Sequence, residues 1–141
     1  MIIEKVQKID LESVFEINIQ SLNSNWSKEA YINYLESDSI LFLVAKVEDT
    51  VIGFIIFQIG EFQSDLLQIA IKSGVSHQGY GTALLKASLA FFTNNHEIFL
   101  EVDETNKSAI AFYQKNDFSQ IGIRKNYYDN GNNALVFRKV I

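Results

Sequence analysis

The sequence predicts an α/β (α+β) domain, built as one mixed sheet of about seven strands flanked by four helices. Three observations carry this. Apolar runs of strand length alternate with stretches of helical period in the order β-α-α-β-β-β-α-β-α-β-β. Proline is absent, so Gly, Asn, Asp and Ser must supply the turns between the runs. The 141 residues are one domain's worth and need no disulfide or metal staple. One domain is therefore expected over 1–141, and one sheet with helices on its faces is the economical packing.

The elements follow in order. Residues 2–8 read as a first strand. Asp10 stands as an N-cap before Leu11, Val14, Phe15 and Leu22, which recur at helical spacing. Ser27 is a second N-cap, before Ala30, Tyr31 and Tyr34. Residues 40–47 and 51–59 are two strands joined by Glu48-Asp49-Thr50, a hairpin. A short strand over 65–71 leads into a loop from Lys72 to Gln78 and then Gly79-Tyr80-Gly81. Leu84, Leu85, Ser88, Phe91 and Phe92 mark an amphipathic helix that fades by Asn94-Asn95. Residues 97–102 are a strand. Thr105 is expected to cap a helix with Ala109, Phe112 and Tyr113 on its inner face, ended by Asp117. Residues 118–124 and 134–140 are the last strands, joined around Asp129-Asn130-Gly131.

Composition narrows the function classes. Lys plus Arg is 12 and Asp plus Glu is 17, a net charge of −5. A broad nucleic-acid footprint needs a basic face, so nucleic acid is not an expected partner. Arg124-Lys125-Asn126-Tyr127-Tyr128 interleaves cations and aromatics, but two cations in an acidic chain read as a solvated loop. With no cysteine there is no thiolate nucleophile or thiolate metal site, and with two histidines no metal cluster is expected. The first residues show no long apolar signal-peptide core, and no apolar run reaches membrane-spanning length. A cytoplasmic enzyme or binding module is expected. The sequons at Asn25 and Asn106 then carry no meaning.

Three features carry chemistry. Ser76-His77-Gln78-Gly79-Tyr80-Gly81 lies between a strand and a helix, the layout in which backbone N–H groups meet an anion. It matches neither G-x-x-x-x-G-K-[ST] nor G-x-G-x-x-G, and a plain turn is the alternative. Glu101 interrupts the apolar strand Ile98-Phe99-Leu100-Glu101-Val102. Alternation puts it on the face of Phe99, which favours a core-side carboxylate with a pKa raised toward that of a general base; the alternative is an edge position facing water. Tyr113 lies seven residues after Asn106, on one helical face with it. Its hydroxyl is either an acid for a leaving group or a core tyrosine tied to a carbonyl.

Together these pieces resemble a GNAT-superfamily N-acetyltransferase, and the likeness covers nearly the whole chain. The residues that carry it are Leu67-Gln-Ile-Ala-Ile71, Gln78-Gly-Tyr-Gly-Thr-Ala-Leu-Leu85, Phe99-Leu-Glu-Val102, Asn106-Lys-Ser-Ala-Ile-Ala-Phe-Tyr113 and Arg124-Lys-Asn-Tyr-Tyr128. The last two segments are the more specific, and Asn25-Trp26-Ser27 is similar to the family's Pro-Trp-Ser. Within the superfamily the chain is most similar to the ribosomal-protein-alanine N-acetyltransferases (RimI-like).

The resemblance implies the GNAT acyl-CoA N-acyltransferase fold, whose mixed sheet is mostly antiparallel, with acetyl-CoA as co-substrate. His77, Gln78, Gly79, Tyr80, Gly81 and Thr82 would line its pyrophosphate. Ile69, Ala70 and Ile71 would sit where the fourth strand splays from the fifth, with a backbone N–H on the thioester carbonyl. Asn106 would also contact the cofactor. Glu101 would be the base, acting through water, and Tyr113 the acid for the departing thiolate. Trp26, Tyr127 and Tyr128 would flank the acceptor. Transfer would be direct, with neither a covalent enzyme intermediate nor a metal. The acceptor would be the α-amine of a protein N-terminus; a small amine metabolite, or a non-catalytic acyl-CoA-binding module, stay open. A monomer or homodimer is expected. The chain departs from the family pattern at Ser76, where the usual loop begins with Gln or Arg, and at His77, where arginine is common. It departs again at Gln63 and at Asn132-Asn133, where acidic side chains are common.

Overall fold

The computed structural model describes residues 1–22 and 24–141. The elements are β1 (Ile2–Lys5), a 3-10 turn (Lys8–Asp10), α1 (Leu11–Ile17), a π-helical turn (Asn18–Leu22), α2 (Lys28–Glu36), β2 (Ile40–Val47), β3 (Thr50–Gln58), β4 (Gln63–Ile71), α3 (Tyr80–Leu89), β5 (Glu97–Asp103), α4 (Lys107–Lys115), β6 (Ser119–Arg124) and β7 (Ala134–Val140). The strands form one mixed sheet in the order β1-β2-β3-β4-β5-β7-β6. The pairs β1–β2, β2–β3, β5–β7 and β6–β7 are antiparallel, and β4–β5 is parallel. The chain divides into two compact units, residues 1–60 with 66–92 and residues 61–65 with 93–141, so β4 contributes to both.

In the first unit the hairpin forms because Glu48 and Asp49 accept the left-handed conformation (φ 51° and 64°) that a two-residue turn between twisted strands demands. Phe42, Val44, Phe54 and Ile56 point to one face and pack with Val14, Ile17 and Tyr31. Leu43, Ile55 and Phe57 are fully buried on the other, where Phe57 meets Phe92 at 5.2 Å. Burial on both faces is why β2 and β3 read as continuous apolar runs rather than alternating ones.

Several boundaries differ from expectation. β1 stops at Lys5, because residues 8–10 turn into the 3-10 segment. Asp10 does not cap α1 with its side chain. Its carboxylate accepts the Gln7 N–H (2.9 Å) and pairs with Lys46 (3.0 Å), which ties the turn to β2. Ser27 does cap α2, accepting the Ala30 N–H at 3.2 Å. The π-helical turn after Ile17 shifts the helical phase, so Leu22 is exposed rather than continuing the apolar stripe. α3 ends at Leu89, and Phe91 lies outside it, 57% exposed.

In the second unit Ile98, Leu100 and Val102 of β5 are buried together with Phe137 of β7 and Phe118. Tyr113 of α4 meets Phe118 edge-on at 5.8 Å. Asn106, not Thr105, caps α4, its side chain accepting the Ala109 N–H at 3.2 Å. Thr105 instead donates its N–H (2.9 Å) and its hydroxyl (2.8 Å) to Asp103. Asp117, with φ 68°, ends the helix as expected.

Candidate active site

The glycine loop joins the end of β4 to the start of α3. His77 and Gly79 both adopt the left-handed conformation (φ 64° and 83°), and Ser76 to Gly79 are exposed. Gly79 is the N-cap of α3 and supplies no capping side chain. Its carbonyl accepts the Ala83 N–H at 3.1 Å, while a Cβ at Gly79 would meet no heavy atom within 4 Å. The first N–H groups of α3, on Tyr80, Gly81 and Thr82, have no acceptor within the helix and lie at its positive end. These residues fit a pyrophosphate.

Ile69, Ala70 and Ile71 close β4 in the same unit. Ala70 is buried, and Ile69 and Ile71 are half-buried. Gly53 of β3 lets β4 approach: a Cβ there would lie 2.8 Å from the Ala70 carbonyl oxygen and 2.6 Å from the Ile71 side chain. The Ile71 carbonyl accepts the Ser21 hydroxyl at 2.8 Å, which ties the π-helical turn to the strand end. Beneath lies a buried polar chain. Tyr31 donates to Gln68 (2.8 Å), Gln68 to Ser24 (3.3 Å) and Ser24 to Asn18 (2.5 Å), leaving the Asn18 Nδ2 buried without a partner among the described residues. Burial pushes the Tyr31 hydroxyl up to about 12. Trp26 stacks on Tyr34 (5.2 Å) and Tyr31 (5.6 Å), so its ring has a packing role in this unit.

Glu101 lies in the second unit. It shares a face with Phe99, as alternation requires, but that is the open face of β5, and its side chain is 30% exposed. The expectation of a core-side carboxylate is corrected, because Ile98, Leu100 and Val102 take the buried face. Glu101 pairs with the Arg124 Nε at 3.1 Å and accepts the Tyr127 hydroxyl, which raises the Tyr127 pKa. The register explains the first contact. Glu101 pairs with Val136, which pairs with Gly122, and Arg124 stands two residues further on the same face. Gly122 has no side chain to obstruct the guanidinium. The Arg124 guanidinium also lies 5.9 Å from the Tyr127 ring centroid.

Asp65 joins this cluster from β4, where it pairs with Phe99. Burial, followed by the charge of Glu101, raises its pKa, against the lowering effect of Arg124. Tyr128 meets Tyr127 edge-on at 5.1 Å, and its hydroxyl is pushed up to about 12, first by burial and then by Asp103 and Glu101. Tyr113 is a half-buried residue, but burial of its hydroxyl, reinforced by Tyr128, pushes its pKa up to about 12. Glu101 thus acts on Tyr127 and Tyr128, and Tyr128 in turn acts on Tyr113. The side-chain oxygen of Asn106 is engaged in capping α4.

Asp65, Arg124, Gln68 and Gly53 were not visible as site residues in the sequence. Arg124 had a signal as part of the Arg-Lys-Asn-Tyr-Tyr segment, and Gln68 as part of Leu67-Gln-Ile-Ala-Ile71. Among the described residues no group of three or more His, Asp or Glu side chains is placed to hold a metal ion.

The chain is 29% identical to an N-alpha-acetyltransferase of Saccharolobus solfataricus over 92% of its length and 87% of that protein's. It is 33% identical to a ribosomal-protein-alanine N-acetyltransferase of Haemophilus influenzae, over 90% of this chain and 87% of that one. The crystal structure of the ribosomal-protein-alanine N-acetyltransferase of Escherichia coli superposes with a TM-score of 0.88 at 24% identity, covering 99% of this chain and 93% of that one, which shows the fold. The model of the acetyltransferase (GNAT) family matches residues 11–118. The chain belongs to that family and is an acetyl-CoA-dependent N-acetyltransferase.

Proposed function

We propose that this enzyme acetylates the α-amine at the N-terminus of a protein. The observation that carries the reading is the state of Glu101, which is half open, ion-paired with Arg124 and hydrogen-bonded by Tyr127. An α-amine, at a reference pKa of about 7.7–8.0, is already partly deprotonated near neutrality, so an open carboxylate held by polar partners has only to position it and receive its proton; a lysine at about 10.4 would need far more help. The names of the two curated relatives point the same way.

In this reading acetyl-CoA supplies the acetyl thioester. Gln78 to Thr82, with His77 beside them, hold the pyrophosphate, and Ile69 to Ile71 hold the pantetheine arm, with Asn106 as a further cofactor contact. Glu101 takes the proton from the acceptor amine. Tyr113 stays protonated across the working range and donates a hydrogen bond to the leaving sulfur. At about 12 its pKa lies well above the ~8.5 of a thiol, so a hydrogen bond rather than full proton transfer is its contribution. Trp26, Tyr127 and Tyr128 flank the acceptor. We assign one functional domain over 1–141, working in the cytoplasm as a monomer or homodimer with no nucleic-acid partner; among the described residues no helix is long and apolar enough to cross a membrane.

The test is acetyl-CoA consumption with a free-amine peptide, the same peptide with a blocked amino terminus and an internal lysine, spermine, and free amino acids. Turnover confined to the free-amine peptide is expected. Turnover on spermine or an amino acid instead would place the enzyme among small-amine acetyltransferases.

A further inference from the structure

We propose that Arg124 sets acceptor choice, holding the place of the acceptor's ammonium on Glu101 and favouring protein N-termini whose second residue is acidic. This rests on the α-amine reading above. The guanidinium is bonded to Glu101 at 3.1 Å yet is 58% exposed, so an incoming cation can displace it without unpacking the core. Tyr127, itself 52% exposed, provides a ring face at 5.9 Å on which the displaced guanidinium remains close by.

The exchange conserves ion pairs only for one class of acceptor. When an ammonium replaces Arg124 on Glu101, the guanidinium loses its counter-ion. A carboxylate on the second residue restores one, whereas a basic second residue adds a cation beside Arg124 and Lys125.

The neighbouring carboxylates offset this only in part. Asp103 accepts from Thr105 and from both contacts of the Asn132 amide (3.2 Å each). Glu104 accepts the Asn133 N–H at 2.5 Å. Asn133 in turn holds the Asn126 N–H at 2.9 Å, so the two asparagines fasten the segment after Arg124 and add no charge of their own. Asp65 interacts with both members of the pair, more strongly with Glu101 than with Arg124, so it is only a partial counter-ion for the displaced guanidinium, and Asp129 stands in the turn after Tyr128.

The experiment measures kcat/KM for three peptides that begin Ala-Glu, Ala-Gln and Ala-Arg and are otherwise identical. It uses the full chain and the variants Arg124→Gln and Arg124→Lys. The native enzyme is expected to prefer Ala-Glu over Ala-Arg by about two- to fivefold, the scale of one partly exposed ion pair. Arg124→Gln should bring that ratio close to one, and Arg124→Lys should retain most of it. A purely structural role for Arg124 would lower all three rates together and leave the ratio unmoved, which would overturn the proposal. A native preference for Ala-Arg would overturn it as well. If no free-amine peptide is acetylated, the α-amine reading itself fails and this proposal falls with it.

Discussion

Asp65 and Glu101 stand on neighbouring parallel strands, and the Arg124 guanidinium acts on both. Burial and Glu101 together raise the Asp65 carboxyl above its ordinary 3.8, so the folded chain binds that proton more tightly than the unfolded chain. The ionised carboxylate therefore costs stability at neutral pH. That cost fades as the pH falls through the raised folded pKa and is gone below the unfolded value of about 3.9. Asp65→Asn should melt at a higher temperature than the native chain at pH 7, with the gap closing by about pH 4. Equal melting at pH 7 would mean that the two carboxylates do not oppose each other. At the same scale, Tyr113→Phe keeps the ring on Phe118 and removes only the hydroxyl. We expect a turnover loss of about tenfold or more with acetyl-CoA binding retained. Unchanged turnover would take Tyr113 out of the chemistry.

Among the elements, the end of β4 depends on a residue of another strand. Gly→Ala in a compatible strand position is usually neutral or helpful, by roughly 0.4–1 kcal/mol. At Gly53 the added Cβ would lie 2.8 Å from the Ala70 carbonyl oxygen, which is backbone and cannot rotate away. Overpacking of this kind costs about 1–3 kcal/mol, so it outweighs the entropic gain. Gly53→Ala should lower the melting temperature and weaken acetyl-CoA binding, because β4 must shift where Ile69 to Ile71 lie. Thermal melts with a cofactor titration check both; a variant as stable as the native chain would show that β3 and β4 yield freely here. The caps show why element boundaries were only partly legible. Ser27 caps α2 as its residue type predicts. Thr105 is an equally good cap by type, but the partly exposed Asp103 two residues earlier captures its hydroxyl and N–H, and Asn106 takes the cap. Which of two adjacent cap residues wins is decided by a third group, not by propensity.

For the whole molecule, acetyl-CoA should stabilise the native state by mass action. At a hundredfold excess over Kd this is about 2.7 kcal/mol, a rise in melting temperature of roughly 10 °C for a domain of this size. Gly79→Leu should abolish the rise. Its Cβ would meet no protein atom within 4 Å, but the left-handed backbone (φ 83°) strains any side chain there, so the melting temperature without ligand is compared alongside to separate loop strain from loss of the ligand's space. An undiminished rise would mean the loop is only a turn. The residue sequence by itself determined the element order, the hairpin at Glu48-Asp49, the strand, glycine-loop and helix layout around Gly79 and the residue types at 101 and 113. These depend on period, turn chemistry and spacing, which are local. Only the tertiary structure decided which face of β5 is covered, and so that Glu101 is half open and paired rather than buried. Alternation reports which residues share a face; whether that face meets apolar side chains or a guanidinium 23 positions away depends on strand register, and register is a property of the assembled sheet.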